Sequence, residues 1–432
     1  MQEIRAGLVG AGTVGGGVVK IFSKKGGYFN TELALPIRLV RIVDKDRGCF
    51  ERLPVNDAVC STDFNDILSD DTISIVIELV GGTTFAKKVV LDALNRKKHV
   101  ITANKALIAE HGPEIFEAAQ NNGVSVYFEA SVGGGMPVIK SIREGLVGNA
   151  IKSVKTIING TCNYILTRMF AEGLAFDDVL KEAQARGYAE ADPTLDIGGG
   201  DTGHKVAILS SIIAGGYIPY EKIFCEGITS VSKDDIECAQ ELGYTIKLLG
   251  IIKQTDNHTV DARVHPVMLR TDHILASVSY EFNAVLLEGD SVGPVLLYGK
   301  GAGEMATASA VMSDVIDVAR NIASGHPERI PMDYYRSQRE IEILAVEEIT
   351  GRYYVRFTVA DQPGVLSDLT EQFCKQSISI ASLVQREQHE DESVTVIILT
   401  HSSSERSIRA AIAEIEKADY VCKKTQVIRI ED

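Results

Sequence analysis

Short apolar runs rich in valine and isoleucine alternate with segments of helical period from residue 1 to about 135. The runs predict strands at Ile4 to Val9, Arg38 to Val43, Ile73 to Glu78, His99 to Thr102 and Ser125 to Phe128. Helices are expected between them at Val14 to Ser23, Phe85 to Arg96 and Pro113 to Asn121. That alternation is the signature of a parallel sheet with crossover helices, an α/β unit. From 136 to about 340 longer helices mix with apolar strands in an α+β pattern. Glycine patches at 133 to 135 and 198 to 200 read there as positional, not as linkers.

The last eighty or so residues change character. They read as strand (Tyr353 to Val359), helix (Val365 to Lys375), two strands (Ile378 to Gln385 and Ser393 to Thr400), helix (Ser404 to Ala418) and strand (Tyr420 to Ile430). This βαββαβ order is the ferredoxin-like split motif. A charged stretch around Tyr334 to Glu340 and Glu347 to Arg352 is expected to join it to the rest. The division this suggests is 1 to 135, then 136 to about 340, then 350 to 432.

The chain has 432 residues, 45% hydrophobic and 24% charged, the balance of an ordinary globular protein with ample core. A formal net charge of -15 opposes attraction to phosphate backbones, so nucleic acid is not an expected partner. The seven cysteines stand singly, without the C-x-x-C pairs of metal or redox sites, and read as reduced thiols. Met1 leads directly into the apolar stretch from Ile4, with neither a basic leader nor a cleavage site. No apolar run approaches the roughly 20 residues of a membrane helix, so the expected location is the cytoplasm, away from membranes.

Gly10-Ala11-Gly12-Thr13-Val14-Gly15 is G-x-G-x-x-G, placed where a strand ends and a helix begins. Gly10 permits the tight turn, Gly12 lets backbone approach a pyrophosphate, and Gly15 lets helix and strand pack closely, in the manner of a Rossmann dinucleotide site. Asp44, at the end of the second strand, would accept from a ribose 2'-hydroxyl and favour NAD. Arg41, Lys45 and Arg47 flank it and could each pair with a 2'-phosphate, so NAD and NADP both remain open. Thr102-Ala103-Asn104-Lys105 follows a strand and belongs at the carboxyl edge of the sheet, where ligands of open α/β folds bind. The segment from Gly187 to Lys205 is the densest polar cluster. Asp201 and Lys205 are four apart, so on one helix they share a face, either as a surface pair or as a carboxylate and ammonium meeting one substrate. His204 points elsewhere and reads as structural.

With these segments in order, the chain resembles the homoserine dehydrogenase family over essentially its whole length. The resemblance is carried by the N-terminal glycine motif and by Ile77-Glu78-Leu79-Val80-Gly81-Gly82, Thr102-Ala103-Asn104-Lys105, Glu129-Ala130-Ser131-Val132-Gly133-Gly134-Gly135-Met136-Pro137 and Asn159-Gly160-Thr161-Cys162-Asn163-Tyr164. The Gly187 to Lys205 cluster, Val264-His265-Pro266, Tyr298-Gly299-Lys300-Gly301-Ala302-Gly303 and Ala306-Thr307-Ala308-Ser309-Ala310-Val311 continue the series.

The resemblance implies that Lys205 is the catalytic acid/base, that Glu190 and Asp201 hold the substrate, and that Lys105 lines the same cleft. It places Gly10, Gly12, Thr13, Val14, Gly15, Asp44, Lys105, Gly187 and Gly303 against NAD or NADP. It assigns sodium or potassium to Glu129 and the carbonyls of Val132, Gly134 and Met136. It implies that residues 136 to 302 are a catalytic and dimerisation domain, that 303 to 340 pack back on the first unit, and that the chain is a homodimer or homotetramer. The C-terminal unit resembles an ACT domain, with Asp361-Gln362-Pro363-Gly364-Val365-Leu366 as its effector turn, implying feedback by an amino acid such as threonine. The implied reaction joins L-homoserine and L-aspartate 4-semialdehyde in threonine, methionine and isoleucine biosynthesis.

Two other readings stand beside it. A non-catalytic amino-acid sensor would use both ligand-binding units without turnover, and would not require the Lys205 and Asp201 arrangement. Another dehydrogenase with an ACT tail, acting on prephenate or phosphoglycerate, does not fit the Gly187 to Lys205 segment.

Overall fold

The first strands are apolar on both faces and cannot leave either to water, so helices cover them above and below. The computed structural model describes residues 3–55, 57–256, 258–326, 340–386 and 393–431; most of the charged join expected at Tyr334 to Glu340 lies outside them. Strands β1 (Ile4–Val9), β2 (Ile37–Val43), β3 (Val59–Ser61), β4 (Ile73–Glu78), β5 (His99–Thr102) and β6 (Val126–Tyr127) form a parallel sheet in the order β3-β2-β1-β4-β5-β6. Helices Thr13–Thr31 and Glu304–Ser324 supply Val18, Phe22, Val311 and Val315 to the core on one face. Helices Thr84–Asn95 and Lys105–Asn122 supply Val89, Val90, Leu107 and Ile115 on the other. The Glu304–Ser324 helix lies so close to the first that a Cβ at Gly17 would meet Ala308 Cβ at 2.9 Å.

The helix expected from Pro113 in fact begins eight residues earlier, at Lys105, and contains that proline. Two local devices make this possible. The Asn104 side chain accepts from Leu107 N at 3.1 Å and caps the start. Pro113 has no N–H for the Ala109 carbonyl, which instead accepts from the Tyr217 hydroxyl at 2.8 Å. Edge strand β3 was not foreseen; its three residues are too few to show a period.

The remaining strands are β7 (Ile151–Ile157), β8 (Phe224–Cys225), β9 (Tyr244–Gln254), β10 (Thr259–Arg270), β11 (Phe282–Gly289), β12 (Gly293–Lys300), β13 (Glu342–Ile343), β14 (Thr350–Ala360), β15 (Ile380–Gln385), β16 (Ser393–Thr400), β17 (Ser403–Ser404) and β18 (Val421–Glu431). Among the described residues they form one sheet with the path β12-β11-β7-β9-β10-β18-β14-β16-β15. Its first part packs against helices Gly160–Glu172 and Gly200–Ala214. Its last part, with helices Val365–Lys375 and Glu405–Ile415, is the βαββαβ unit around Tyr353, Phe357, Phe373 and Ile408. The two parts meet where β18 pairs in parallel with β10, Val267 opposite Arg429 and Leu269 opposite Glu431. Among the described residues, no helix is long and apolar enough to cross a membrane.

Candidate active site

The chain leaves β1 through Gly10 at φ +94, where a side chain would meet the Leu79 carbonyl oxygen at 2.6 Å. A side chain at Gly15 would run into the Gly10 carbonyl, so both glycines are required by packing. Gly12 differs: a Cβ there would meet nothing within 4 Å. The Thr13–Thr31 helix therefore presents open space at its N-terminus, with no side-chain cap and no acidic residue in its first turn. Free N–H groups and the positive end of the helix dipole suit an anion such as a pyrophosphate, and Thr13 and Val14 begin that turn, so the residues present fit a dinucleotide.

Asp44 follows β2 and braces the glycine turn, accepting from Ala11 N at 2.6 Å and from Asp46 N at 2.9 Å. Of the three cations expected beside it, Lys45 and Arg47 are exposed, and Arg41 lies 3.9 Å from Asp70.

A cleft of about 740 Å³ opens between the carboxyl edge of the parallel sheet and the second sheet. Val14 and Ala103 line it from the dinucleotide side, Gly187 and Gly303 at its borders, and Asp201 and Lys205 from the Gly200–Ala214 helix. Lys205 Nζ donates to Asp201 Oδ2 at 2.7 Å and to the Ile158 carbonyl at 2.6 Å. Lys105 Nζ lies 3.1 Å from Asp201 Oδ1, so one carboxylate holds two ammonium groups. Burial alone would raise the Asp201 carboxyl, but Lys205 and Lys105 outweigh it and hold it well below the usual carboxylate range. His204, on another face of this helix, packs its ring 4.0 Å from that of Tyr220, as a structural residue would.

Asp196 was not singled out in the sequence, yet it lines the cleft. Asn159 Nδ2 donates at 2.8 Å to both Asp196 Oδ1 and Asp201 Oδ2, tying the two acids together. Burial, with the charge of Asp201 beside it, raises the Asp196 carboxyl. Asp196 sits on a separate short helix, Thr194–Ile197, so no helical spacing to Lys205 could have selected it. The structure does not bring Glu190 to the cleft: it is exposed, on the loop leaving Gly187, where Gln184 Nε2 holds its carbonyl at 3.1 Å.

Lys105 is aimed by a buried relay. Glu78, fully buried at the end of β4, accepts from Val80 N at 2.8 Å and from the Thr102 hydroxyl at 2.6 Å. The Thr102 oxygen in turn accepts from Asn104 N at 3.0 Å, and Asn104 Nδ2 donates to the Gly82 carbonyl at 2.7 Å. Burial pushes the Glu78 carboxyl up to about 7.

Glu129 is also buried, its oxygens accepting from Ile139 N at 2.9 Å and Lys140 N at 2.8 Å. Burial and then the neighbouring Asp314 charge push its carboxyl up to about 8. The following turn is left-handed at Gly133 and Gly134, and a side chain at Gly134 would run into the Gly301 carbonyl. Val132, Gly134 and Met136 lie on this turn.

A parallel dinucleotide-type sheet facing a lysine–carboxylate pair, with a βαββαβ unit appended, defines a nicotinamide-dependent oxidoreductase. Residues 10–129 match the family "Homoserine dehydrogenase, NAD binding domain", residues 137–316 the family "Homoserine dehydrogenase", and residues 353–419 the ACT domain. The homoserine dehydrogenase of Neisseria gonorrhoeae is 42% identical over 433 residues, covering 100% of this chain and 99% of the relative. That of Synechocystis is 43% identical, covering 99% of this chain and 100% of the relative. A crystal structure of a homoserine dehydrogenase from Thiobacillus denitrificans superposes with a TM-score of 0.94 at 44% identity, covering 100% of this chain and 99% of that one. The chain belongs to the homoserine dehydrogenase family.

Proposed function

We propose that the protein interconverts L-homoserine and L-aspartate 4-semialdehyde with Lys205 as acid/base, and so serves threonine, methionine and isoleucine biosynthesis. The observation that carries this is the contact of Lys205 and Lys105 with the two oxygens of Asp201, inside a cleft that the glycine turn also borders. The nicotinamide, when bound, supplies or accepts the hydride. On the reducing path the substrate carbonyl oxygen becomes an alkoxide, and the Lys205 ammonium stabilises it and delivers the proton. Asp201 orients both lysines. Lys105 then meets the substrate carboxylate, while Asp196 and Asp201 offer negative charge to its ammonium. A homoserine dehydrogenase from a hyperthermophilic archaeon, 26% identical with a TM-score of 0.62, is solved with NADPH; it covers 74% of this chain. NAD and NADP are both compatible with the turn built here.

We further assign sodium or potassium to Glu129 and the Val132, Gly134 and Met136 carbonyls, threonine to the ACT unit, and a homodimer or homotetramer to the assembly. The buried carboxylate and the left-handed glycine turn support the first, and the exposed turn at Asp361–Gly364 supports the second. Following nicotinamide absorbance with homoserine and each oxidised cofactor in turn tests the reaction. No turnover with either cofactor would remove this reading.

A further inference from the structure

Three glycines, Gly198, Gly199 and Gly200, precede the helix that carries Asp201 and Lys205, and their smallness serves packing. A Cβ at Gly198 would meet the Thr194 carbonyl oxygen at 2.7 Å, and one at Gly200 would meet Leu195 Cδ1 at 2.9 Å. At Gly199 it would stand 3.4 Å from the Glu226 carbonyl oxygen. From the opposite side, a Cβ at Gly227 would run into the Ile197 carbonyl, which accepts from Ile228 N at 2.8 Å. The turn bearing Asp196 and Asp201 thus rests, backbone on backbone, on residues 226–228.

That support is held from the C-terminal unit. β8 and β18 take successive stretches of the β10 edge that β9 leaves free, at Arg263–Val264 and at Val267–Leu269. Glu226 N donates to the Val264 carbonyl at 2.8 Å, and Arg429 on β18 reaches Glu226 Oε2 at 2.9 Å. The guanidinium groups of Arg429 and Arg409 lie over the Phe224 ring at 5.4 and 5.8 Å. Arg429 thus touches the 224–228 segment twice, at Glu226 and at Phe224, Arg409 adds a contact at Phe224, and Glu226 itself does not line the cleft.

We propose that Glu226 is a positioning residue for the reaction: held by Arg429, it fixes the segment on which the turn carrying Asp196 and Asp201 rests. This rests on the reading of Lys205 and Asp201 given above. It makes the Glu226–Arg429 ion pair a link between the C-terminal unit and the substrate side of the cleft, while the dinucleotide side has no part in it.

The test uses the full-length protein with Glu226→Ala and Glu226→Gln. Arg429 keeps its pairing with Glu405 in both, so neither variant leaves a buried charge without a partner. Homoserine KM should rise in the alanine variant by about fivefold or more, the low end of typical site-to-site coupling, with cofactor KM unchanged. The glutamine variant, which keeps an acceptor for Arg429, should recover part of the loss. Hydrogen exchange should quicken in 194–203 of the alanine variant while the parallel sheet keeps its protection. Turnover by the parent protein with unchanged homoserine KM and unchanged exchange in Glu226→Ala overturns this inference alone. A parent protein without turnover overturns the functional reading, and this inference falls with it.

Discussion

Lys205 and Asp201 meet at 2.7 Å across one turn of the Gly200–Ala214 helix, at the mouth of a cleft whose other wall is the glycine turn. Replacing Lys205 by Ala removes the proposed proton donor but leaves Asp201 paired with Lys105 and Asn159. Turnover should fall by about 10²-fold or more, the usual worth of a positioned acid/base, with cofactor affinity nearly intact. Steady-state kinetics and cofactor titration check both parts. Near-parental turnover would take Lys205 out of the chemistry.

Gly12 is the one glycine of the turn that packing does not demand, since a Cβ there meets open space. Its φ of -66 is one that valine tolerates. Gly12→Val should therefore leave the melting temperature within a degree or two of the parent's, as surface changes generally do, yet weaken NAD and NADP alike by filling the approach to the pyrophosphate. Unchanged affinity in a fluorescence titration would place the cofactor elsewhere.

Much of this was legible in the sequence. Ile4–Val9, Ile73–Glu78 and His99–Thr102 form strands as read, because apolar runs that short between turn residues leave few alternatives. The Asp201 and Lys205 pairing followed from the helical period alone. The pairing of β18 with β10 could not, since the partners are about 160 residues apart and parallel neighbours far along the chain leave no periodic trace. Asp196 escaped for a similar reason: what distinguishes it from Asp192 is Asn159, a residue from another helix. Pro113 hides the true start of the Lys105 helix, because the donor that replaces the missing N–H, Tyr217, is also remote.

Glu78 couples the fold to pH. Its carboxyl is raised by burial to about 7, so the native state holds this proton more tightly than the unfolded chain does. The stability it contributes is fully present below the ordinary carboxylate range and is lost as pH rises through about 7. Glu78→Gln keeps the side chain neutral and should flatten the decline of melting temperature between about pH 5 and 8. Thermal melts of both proteins across that window decide it, and parallel curves would show that Glu78 does not titrate there.

Effector control is best tested at the exposed turn, because removing the whole C-terminal unit would do more than remove a ligand site. Glu431, at the end of β18, lies 2.9 Å from Lys253, 2.9 Å from Arg263 and 3.2 Å from Lys155. Deleting the unit would remove that carboxylate and strip β10 of its neighbour. The turn at Asp361–Gly364 carries no such burden: it is exposed, Gly364 stands at φ +97, and the Val365–Lys375 helix begins there without a side-chain cap. The start of that helix suits the carboxylate of an amino acid, and Asp361 suits its ammonium. An effector inhibits only by binding the less active state more tightly than the active one. Asp361→Ala should therefore leave uninhibited turnover as in the parent and raise the threonine concentration for half-inhibition by about fivefold or more. The measurement is a threonine inhibition curve on both full-length proteins. Coincident curves would locate threonine at the catalytic cleft, where Lys105, Asp196 and Asp201 offer the same two charges.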